Sequence, residues 1–193
     1  MSKKISLLLT VTGILLIILS SGLVFFSVHS QKTAVKENNR LVSVLYSLMP
    51  EVTDGVIDDR VNKDMPLLQV DGMDFAGIIE VPTYNRTLPI FANWDKSRVS
   101  SFPCRYSGSI YNGNLIIGGS DNSGQFDFMK QITVSDTVFI TDVTGARFTY
   151  QVTDIKLTRD VSSESLEATD ADLIFFARNT YSLDYTVVIC RIK

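Results

Sequence analysis

Short runs of apolar and β-branched residues, separated by turn residues, recur through most of the chain after residue 75. The two runs nearest the C-terminus, residues 173–177 and 185–192, flank a short polar link, which predicts two adjacent strands of one buried sheet. Residues 137–141 and 147–152 flank the turn sequence of residues 142–145, which predicts a β-hairpin.

Three further apolar runs, residues 75–81, 87–91 and 114–117, are typical of short strands. Residues 125–132 fit a single short helix, and residues 161–170 are polar and predict a connection. Many short strands, frequent turn residues and one or two short helices predict an all-β barrel or sandwich.

The N-terminal part has a different pattern, because no charged residue occurs from Ile5 to Val28. Such a run is long enough to cross a ~30 Å hydrocarbon layer as a helix. Lys3 and Lys4 precede it, which favours a cytoplasmic tip at residues 1–4 and an extracellular C-terminal domain. A cleaved signal peptide is the alternative, but the apolar run continues past the small residues Ser20 and Ser21, which favours an uncleaved signal anchor.

Residues 29–74 are predicted to form a stalk helix followed by an acidic linker, with the barrel domain at residues 75–193. The helix prediction rests on one apolar stripe before Pro50, formed by Leu41, Val42, Leu45, Leu48 and Met49. In the linker, Asp54, Asp58 and Asp59 lack the ligand spacing and glycine of a calcium-binding EF-hand loop. A solvated acidic linker is therefore the favoured interpretation.

Charge and cysteine content restrict the chemistry further. The net charge of −3, without a concentrated basic stretch, argues against a nucleic-acid partner. There is no CxxC, Cys/His cluster or HExxH motif, so no metal site and no cofactor are predicted. Cys104 and Cys190 could form a disulfide in an oxidising exterior, or Cys190 could be a buried core thiol, and the sequence leaves both open.

The order of these segments resembles the sortases, the membrane-anchored cysteine transpeptidases of Gram-positive bacteria, and is most similar to domains of class B and class D. The resemblance covers residues 75–193 and the N-terminal anchor, through residues 77–82 with 88–90, 106–109, 114–119 with Phe126, 136–142 with 145 and 150–152, and 172–178 followed by 187–189. It implies a closed eight-stranded barrel. It also implies a cysteine nucleophile, a histidine acid and an arginine that steadies substrate and oxyanion.

Carried over position by position, the resemblance places Ser120 at the histidine, Arg178 at the nucleophile and Tyr185 at the arginine. A slip of one residue would place Ala177 or Thr186 at the last two positions. All three functional residues of the family are therefore expected to be replaced in this chain.

The lack of an imidazole does not depend on that alignment, since the only histidine, His29, lies at the outer edge of the predicted anchor. The domain thus has no side chain with an ordinary pKa near neutrality to act as acid and base. Cys190 does not fit the family's nucleophile position, because only three residues follow it, too few for the strand that bears the family's arginine. Cys104 has Arg98 and Arg105 nearby in sequence, and these cations could lower the pKa of its thiol.

A charged residue at the end of an apolar strand must be paired or reach solvent. Arg178 is therefore expected to pair with Asp121 or Asp184, or to face a groove near Asp121, Ala177 and Asp184 that binds an extended peptide or an anionic group. The sequence favours a non-catalytic, membrane-anchored sortase-like protein whose partner is a cell-surface protein or a sorting-signal peptide. The alternatives are an active cysteine transpeptidase or peptidase using Cys104 or Cys190, and a structural scaffold of the cell envelope.

Overall fold

The computed structural model describes residues 3–56, 64–180, 182 and 184–193, without the side chains of residues 3–10 and 23–31. Part of the predicted linker, including Asp58 and Asp59, therefore lies outside the described residues. The same applies to the side chains at both ends of the predicted anchor, and to residues 1 and 2 of the predicted cytoplasmic tip.

Eight of the ten strands in the described residues close into a barrel. The ten strands are β1 (Thr53–Asp54), β2 (Leu68–Val70), β3 (Met73–Val81), β4 (Arg86–Phe91), β5 (Cys104–Ser107), β6 (Leu115–Ser120), β7 (Thr137–Asp142), β8 (Ala146–Thr158), β9 (Leu173–Arg178) and β10 (Tyr185–Ile192). Around the barrel the order is β3–β4–β5–β6–β9–β10–β8–β7, and β7 pairs again with β3. The short strands β1 and β2 pair with β8 and β3 at the margins. The predicted closed eight-stranded barrel is confirmed.

The helical elements are α1 (Lys3–Leu48), α2 (Ser163–Glu167) and three 3₁₀ turns at Pro82–Tyr84, Ile110–Asn112 and Asp127–Lys130. The helix predicted over residues 125–132 is thus a single 3₁₀ turn. Helix α2 lies in the segment predicted to be only a polar connection. The Ser162 hydroxyl caps it by accepting a hydrogen bond from the Ser165 N–H at 3.3 Å, and Leu166 is buried beneath it.

The chain forms two compact units, Met1–Ala34 and Val35–Lys193. In the first unit the described apolar side chains of residues 14–19 are exposed. Among the residues whose side chains are described, no helix combines the length and hydropathy needed to cross a lipid bilayer.

The second unit includes the C-terminal part of α1 as well as the barrel. Leu41 and Leu45 are completely buried against Phe75 and Cys104, whereas Leu48 of the predicted stripe is exposed. The compact unit therefore begins upstream of residue 75, because the apolar stripe of α1 covers one outer side of the barrel.

The two faces of β6, β9 and β10 differ in what they contact, as the alternation of side chains along a strand requires. The inward-facing side chains, Ile117, Phe175, Ala177, Val188 and Cys190, belong to the main core. The outward-facing side chains, Ile116, Ile174, Phe176, Val187 and Ile189, form a separate cluster with Leu166 of α2. This second cluster lies on the same outer face as the candidate site.

Candidate functional site

Three residues from three neighbouring strands lie side by side at one end of the barrel. Ser120 pairs with Arg178 in the parallel register of β6 and β9, and Arg178 pairs with Tyr185 in the antiparallel register of β9 and β10. All three occupy outward-facing positions of their strands. The one-residue slip to Ala177 and Thr186 would select the opposite face, where Ala177 is 1% exposed in the barrel core.

A cavity of about 460 Å³ adjoins these residues. It is lined by Trp94, Lys96, Val99, Tyr106, Gly119, Val161, Phe176, Arg178 and Tyr185. The first three belong to the connection between β4 and β5, and Val161 precedes α2. We call this cavity the groove. Two loops therefore form its sides, and residues of the four barrel strands β5, β6, β9 and β10 form its base.

Aromatic rings make up most of the apolar lining. Trp94 meets Tyr106 edge-on at a centroid distance of 5.0 Å, and Tyr106 meets Phe176 edge-on at 5.4 Å. The Phe176 ring also meets Tyr185 at 6.1 Å. Contacts of this geometry stabilise one another, so the rings form a fixed apolar surface.

Gly118 allows the rings to approach β6. A Cβ atom added at this position would lie 2.4 Å from the Trp94 ring and 2.7 Å from the Phe176 ring, closer than atoms can pack. A residue with any side chain would therefore force the rings away from the strand. The absence of a side chain at residue 118 fixes the position of the groove's aromatic surface.

Arg178 is exposed at the groove, and no ion pair with it occurs among the described residues. The predicted pairing with Asp121 or Asp184 is therefore wrong. The Asp121 carboxylate accepts hydrogen bonds from the Thr180 N–H at 3.0 Å and from the Thr180 hydroxyl, and Lys130 lies 3.2 Å from it. Burial acts to raise the pKa of Asp121, but these donors lower it below its ordinary value.

Asp184 is engaged by a different cation. Its carboxylate accepts a hydrogen bond from the Arg159 Nε at 2.9 Å. The described lining of the groove includes neither Asp121, Ala177 nor Asp184, the residues predicted near it. Other residues therefore bind both carboxylates, and the guanidinium of Arg178 has no ion pair with any residue that the structure describes.

Ser120 serves the local turn. Its hydroxyl accepts a hydrogen bond from the Asn122 N–H at 3.3 Å, and its own N–H donates to the Gln125 side chain. The side chain of Gln125 in turn donates to the Val99 carbonyl at 3.2 Å. These contacts connect the end of β6 to the loop that bears Lys96 and Val99, which fits a structural role for Ser120.

Cys104 is a free thiol that is completely buried beneath α1. Burial raises the pKa of Cys104 to about 11, so the expectation of a lowered pKa is wrong. Arg105 donates to the Ala92 carbonyl at 2.9 Å and pairs with Asp64. Arg98 lies over the Phe91 ring and pairs with Asp95 at 3.2 Å. Neither arginine offsets the cost of burying a thiolate.

Cys190 is also free and completely buried, so the choice left open by the sequence resolves to two buried thiols without a disulfide. Burial raises the pKa of the Cys190 thiol. Cys190 pairs with Leu173 at the opposite end of β9 from Arg178 and faces the barrel core. Five residues along β10 separate it from Tyr185, which corresponds to about 17 Å at ~3.4 Å per residue.

The sequence reasoning missed Trp94, Lys96, Tyr106 and Val161 as residues of the groove. Trp94 and Lys96 lie in a connection without periodic hydrophobic residues, so no strand or helix pattern marks them. The position of Tyr106 on β5 was available from the resemblance, but its contact with Trp94 depends on the path of the loop.

The fold is similar to that of several solved sortases. Sortase A of Listeria monocytogenes matches with a TM-score of 0.53 and 14% identity over 62% of this chain and 87% of that chain. A Clostridium perfringens sortase D5 transpeptidase matches with a TM-score of 0.53 and 14% identity over 84% of this chain and 98% of that chain. Sortase C1 of Streptococcus agalactiae matches with a TM-score of 0.52 and 16% identity over 65% of this chain and 71% of that chain. No protein-family model and no curated protein sequence matches the chain. With its closed eight-stranded barrel and these neighbours, the chain has the sortase fold.

Proposed function

We propose that this chain is a non-catalytic sortase-like protein of the Gram-positive cell envelope, where it binds or modulates a cell-surface protein or a sorting-signal peptide. The residues from Ile5 to Val28 would anchor it in the plasma membrane, with the barrel outside. The charge-free run that follows Lys3 and Lys4 supports this placement.

The observation that carries the proposal is the identity of the three adjacent residues at this end of the barrel, Ser120, Arg178 and Tyr185. Acyl transfer by the family requires a nucleophile and a proton donor that titrates near neutrality. Arg178 cannot act as the nucleophile, because a guanidinium does not attack a peptide carbonyl. Ser120 is a weak proton donor, and no histidine other than His29 exists in the chain to activate a hydroxyl.

The alternative, an active cysteine transpeptidase or peptidase, would depend on Cys104 or Cys190. Both thiols are inaccessible to a peptide carbonyl, and burial keeps both in the protonated, unreactive form near pH 7. Neither lines the groove. The geometry thus favours binding over turnover.

The test is peptide turnover by the full-length chain. We expect no cleavage of quenched sorting-signal peptides above background, with or without a thiol-alkylating agent. Thiol-dependent turnover that is lost in Cys104→Ala or Cys190→Ala would contradict the proposal.

A scaffold without any groove ligand is separable by pull-down from membranes. A partner retained after Arg178→Ala and Ser120→Ala would favour a scaffold over a groove-binding protein. Extraction of the chain from membranes by alkaline carbonate would contradict the proposed anchor, since an integral helix resists this treatment.

A further inference from the structure

In the part of the chain that the structure describes, the groove combines an apolar surface with two cations that have no ion-pair partner. Lys96 and Arg178 are exposed, and the described lining contains no aspartate or glutamate. The carboxylates predicted to pair with Arg178 contact other residues. Asp121 is bound by Thr180 and Lys130, and Asp184 is bound by Arg159. A ligand that fits this charge distribution is an anion.

The remaining lining restricts the kind of anion. Trp94, Tyr106, Phe176 and Tyr185 supply an aromatic surface beside the cations. A small inorganic anion would leave this surface without contacts, whereas burying an apolar group against it is favourable. The ligand should therefore bear an apolar group within a few ångströms of its negative charge.

A peptide that ends in an apolar residue meets this requirement, because its terminal carboxylate and its last side chain share one Cα atom. The planar guanidinium of arginine can donate two parallel hydrogen bonds to a carboxylate. The cavity of about 460 Å³ is within the range of small-ligand pockets. In an internal aspartate or glutamate, by contrast, the side chain itself bears the charge, so the same residue has no apolar side chain to contact the aromatic surface.

We propose that the groove binds the free C-terminal carboxylate of a peptide with an apolar last residue, with Arg178 and Lys96 at the carboxylate and the aromatic surface at the side chain. This inference rests on the proposed function, since it requires a groove that holds a peptide without processing it. Peptide chain ends released by hydrolysis or shed from surface proteins are the class of ligand implied.

The protein provides its own probe of occupancy. Trp94 is the single tryptophan of the chain and lies in the groove. Its fluorescence can be followed while the full-length chain is titrated with two N-acetylated tetrapeptides that end in leucine, one as the free acid and one as the amide. A third peptide, amidated and with glutamate in place of the last leucine, tests an acidic side chain instead of a terminus.

We expect the free acid to bind about tenfold or more tightly than the amide, the ratio that corresponds to ~1.4 kcal/mol for one charge-assisted contact. The glutamate peptide should bind no better than the amide. In Arg178→Gln the affinity for the acid should fall about tenfold while the affinity for the amide stays unchanged, because only the carboxylate contact is lost. Lys96→Gln should also lower the affinity for the acid, but by a smaller factor, because the lysine ammonium is a point charge on a flexible side chain.

Lys156→Gln is the matched control, since Lys156 is an exposed lysine of β8 that does not line the groove. Equal affinity for acid and amide, equal losses in Arg178→Gln and Lys156→Gln, or no binding at all would overturn the inference. Inorganic phosphate that binds as tightly as the acid peptide would also overturn it, because the apolar side chain would then contribute nothing. Mass spectrometry of the recovered peptide distinguishes the two proposals, because cleavage would refute the non-catalytic function, whereas failure to bind would refute only the ligand.

Discussion

The inner and outer faces of β6, β9 and β10 make contrasting use of the same three strands. The inner face supplies completely buried residues such as Phe175 and Cys190 to the barrel core. The outer face ends in Ser120, Arg178 and Tyr185, which are partly or fully exposed, and the last two line the groove. Side chains on opposite faces of a strand have different neighbours, so changes on one face need not disturb the other.

Because of this separation, the residues at the end of the outer face can change without disturbing the packing of the barrel. The contacts that close the barrel lie on the inner face and are retained in this chain. The three outer positions do not contribute to that packing, and polar residues of different size and charge can occupy them. Substitutions at these outer positions are therefore expected to cost little stability.

The largest expected effect comes from truncating the inner face of β9. Phe175→Ala removes a completely buried ring whose centroid lies 5.7 Å from that of Phe126. This change should lower the free energy of unfolding by about 3–5 kcal/mol. Arg178→Ala, three residues further along and exposed, should change it by less than about 0.5 kcal/mol. Urea unfolding monitored by Trp94 fluorescence measures both. Similar losses in the two variants would show that the two faces are not independent.

An intermediate effect is expected where the outer face is closely packed. Gly118→Ala inserts a methyl group against the rings of Trp94 and Phe176 and should destabilise the chain by about 1–3 kcal/mol. Adding Trp94→Phe should recover part of this loss, since the smaller ring leaves space for the methyl group. Thermal unfolding monitored by circular dichroism measures the single and double variants. A double variant that simply sums the two single losses would contradict close packing at residue 118.

A smaller difference should separate the two carboxylates near the groove. Asp121→Asn weakens the bonds to Thr180 and should cost about 1–3 kcal/mol, whereas Asp184→Asn loses an exposed pair with Arg159 and should cost less than about 1 kcal/mol. The pKa of Asp121 is below its ordinary value of 3.8 in the folded chain. Its contribution is therefore present above that pH and is lost as the pH falls through the folded-state pKa. Unfolding curves at pH 7 and pH 3 should show a larger gap between the two variants at pH 7 than at pH 3.

The barrel could be predicted from the sequence because it depends on local periodicity. The alternation at residues 147–152 and the apolar runs before residues 178 and 192 specify which residues face inward. Helix α2 was missed because its stability comes from the Ser162 cap and the burial of Leu166, and a single buried residue gives no helical period.

The surroundings of Arg178 could not be predicted for a different reason. The position of Asp121 in the sequence made it a reasonable ion-pair partner for Arg178. In the structure its carboxylate instead accepts a hydrogen bond from the N–H of Thr180, two residues after Arg178. The choice between two donors depends on the path of a loop, which has no pattern in the sequence. The same applies to Trp94 and Lys96, which reach the groove from the connection between β4 and β5.

The central claim is that the described lining of the groove contains no thiol and that both cysteines are buried elsewhere. Its most direct test is alkylation of the native full-length chain followed by intact mass. We expect no label on the unsubstituted chain at pH 7.5 under conditions that label both cysteines after unfolding in urea. Arg178→Cys, which places a thiol at the exposed end of β9, should gain one label in the native state. Labelling of Cys104 or Cys190 in the native unsubstituted chain, at a rate near that of Arg178→Cys, would contradict the claim.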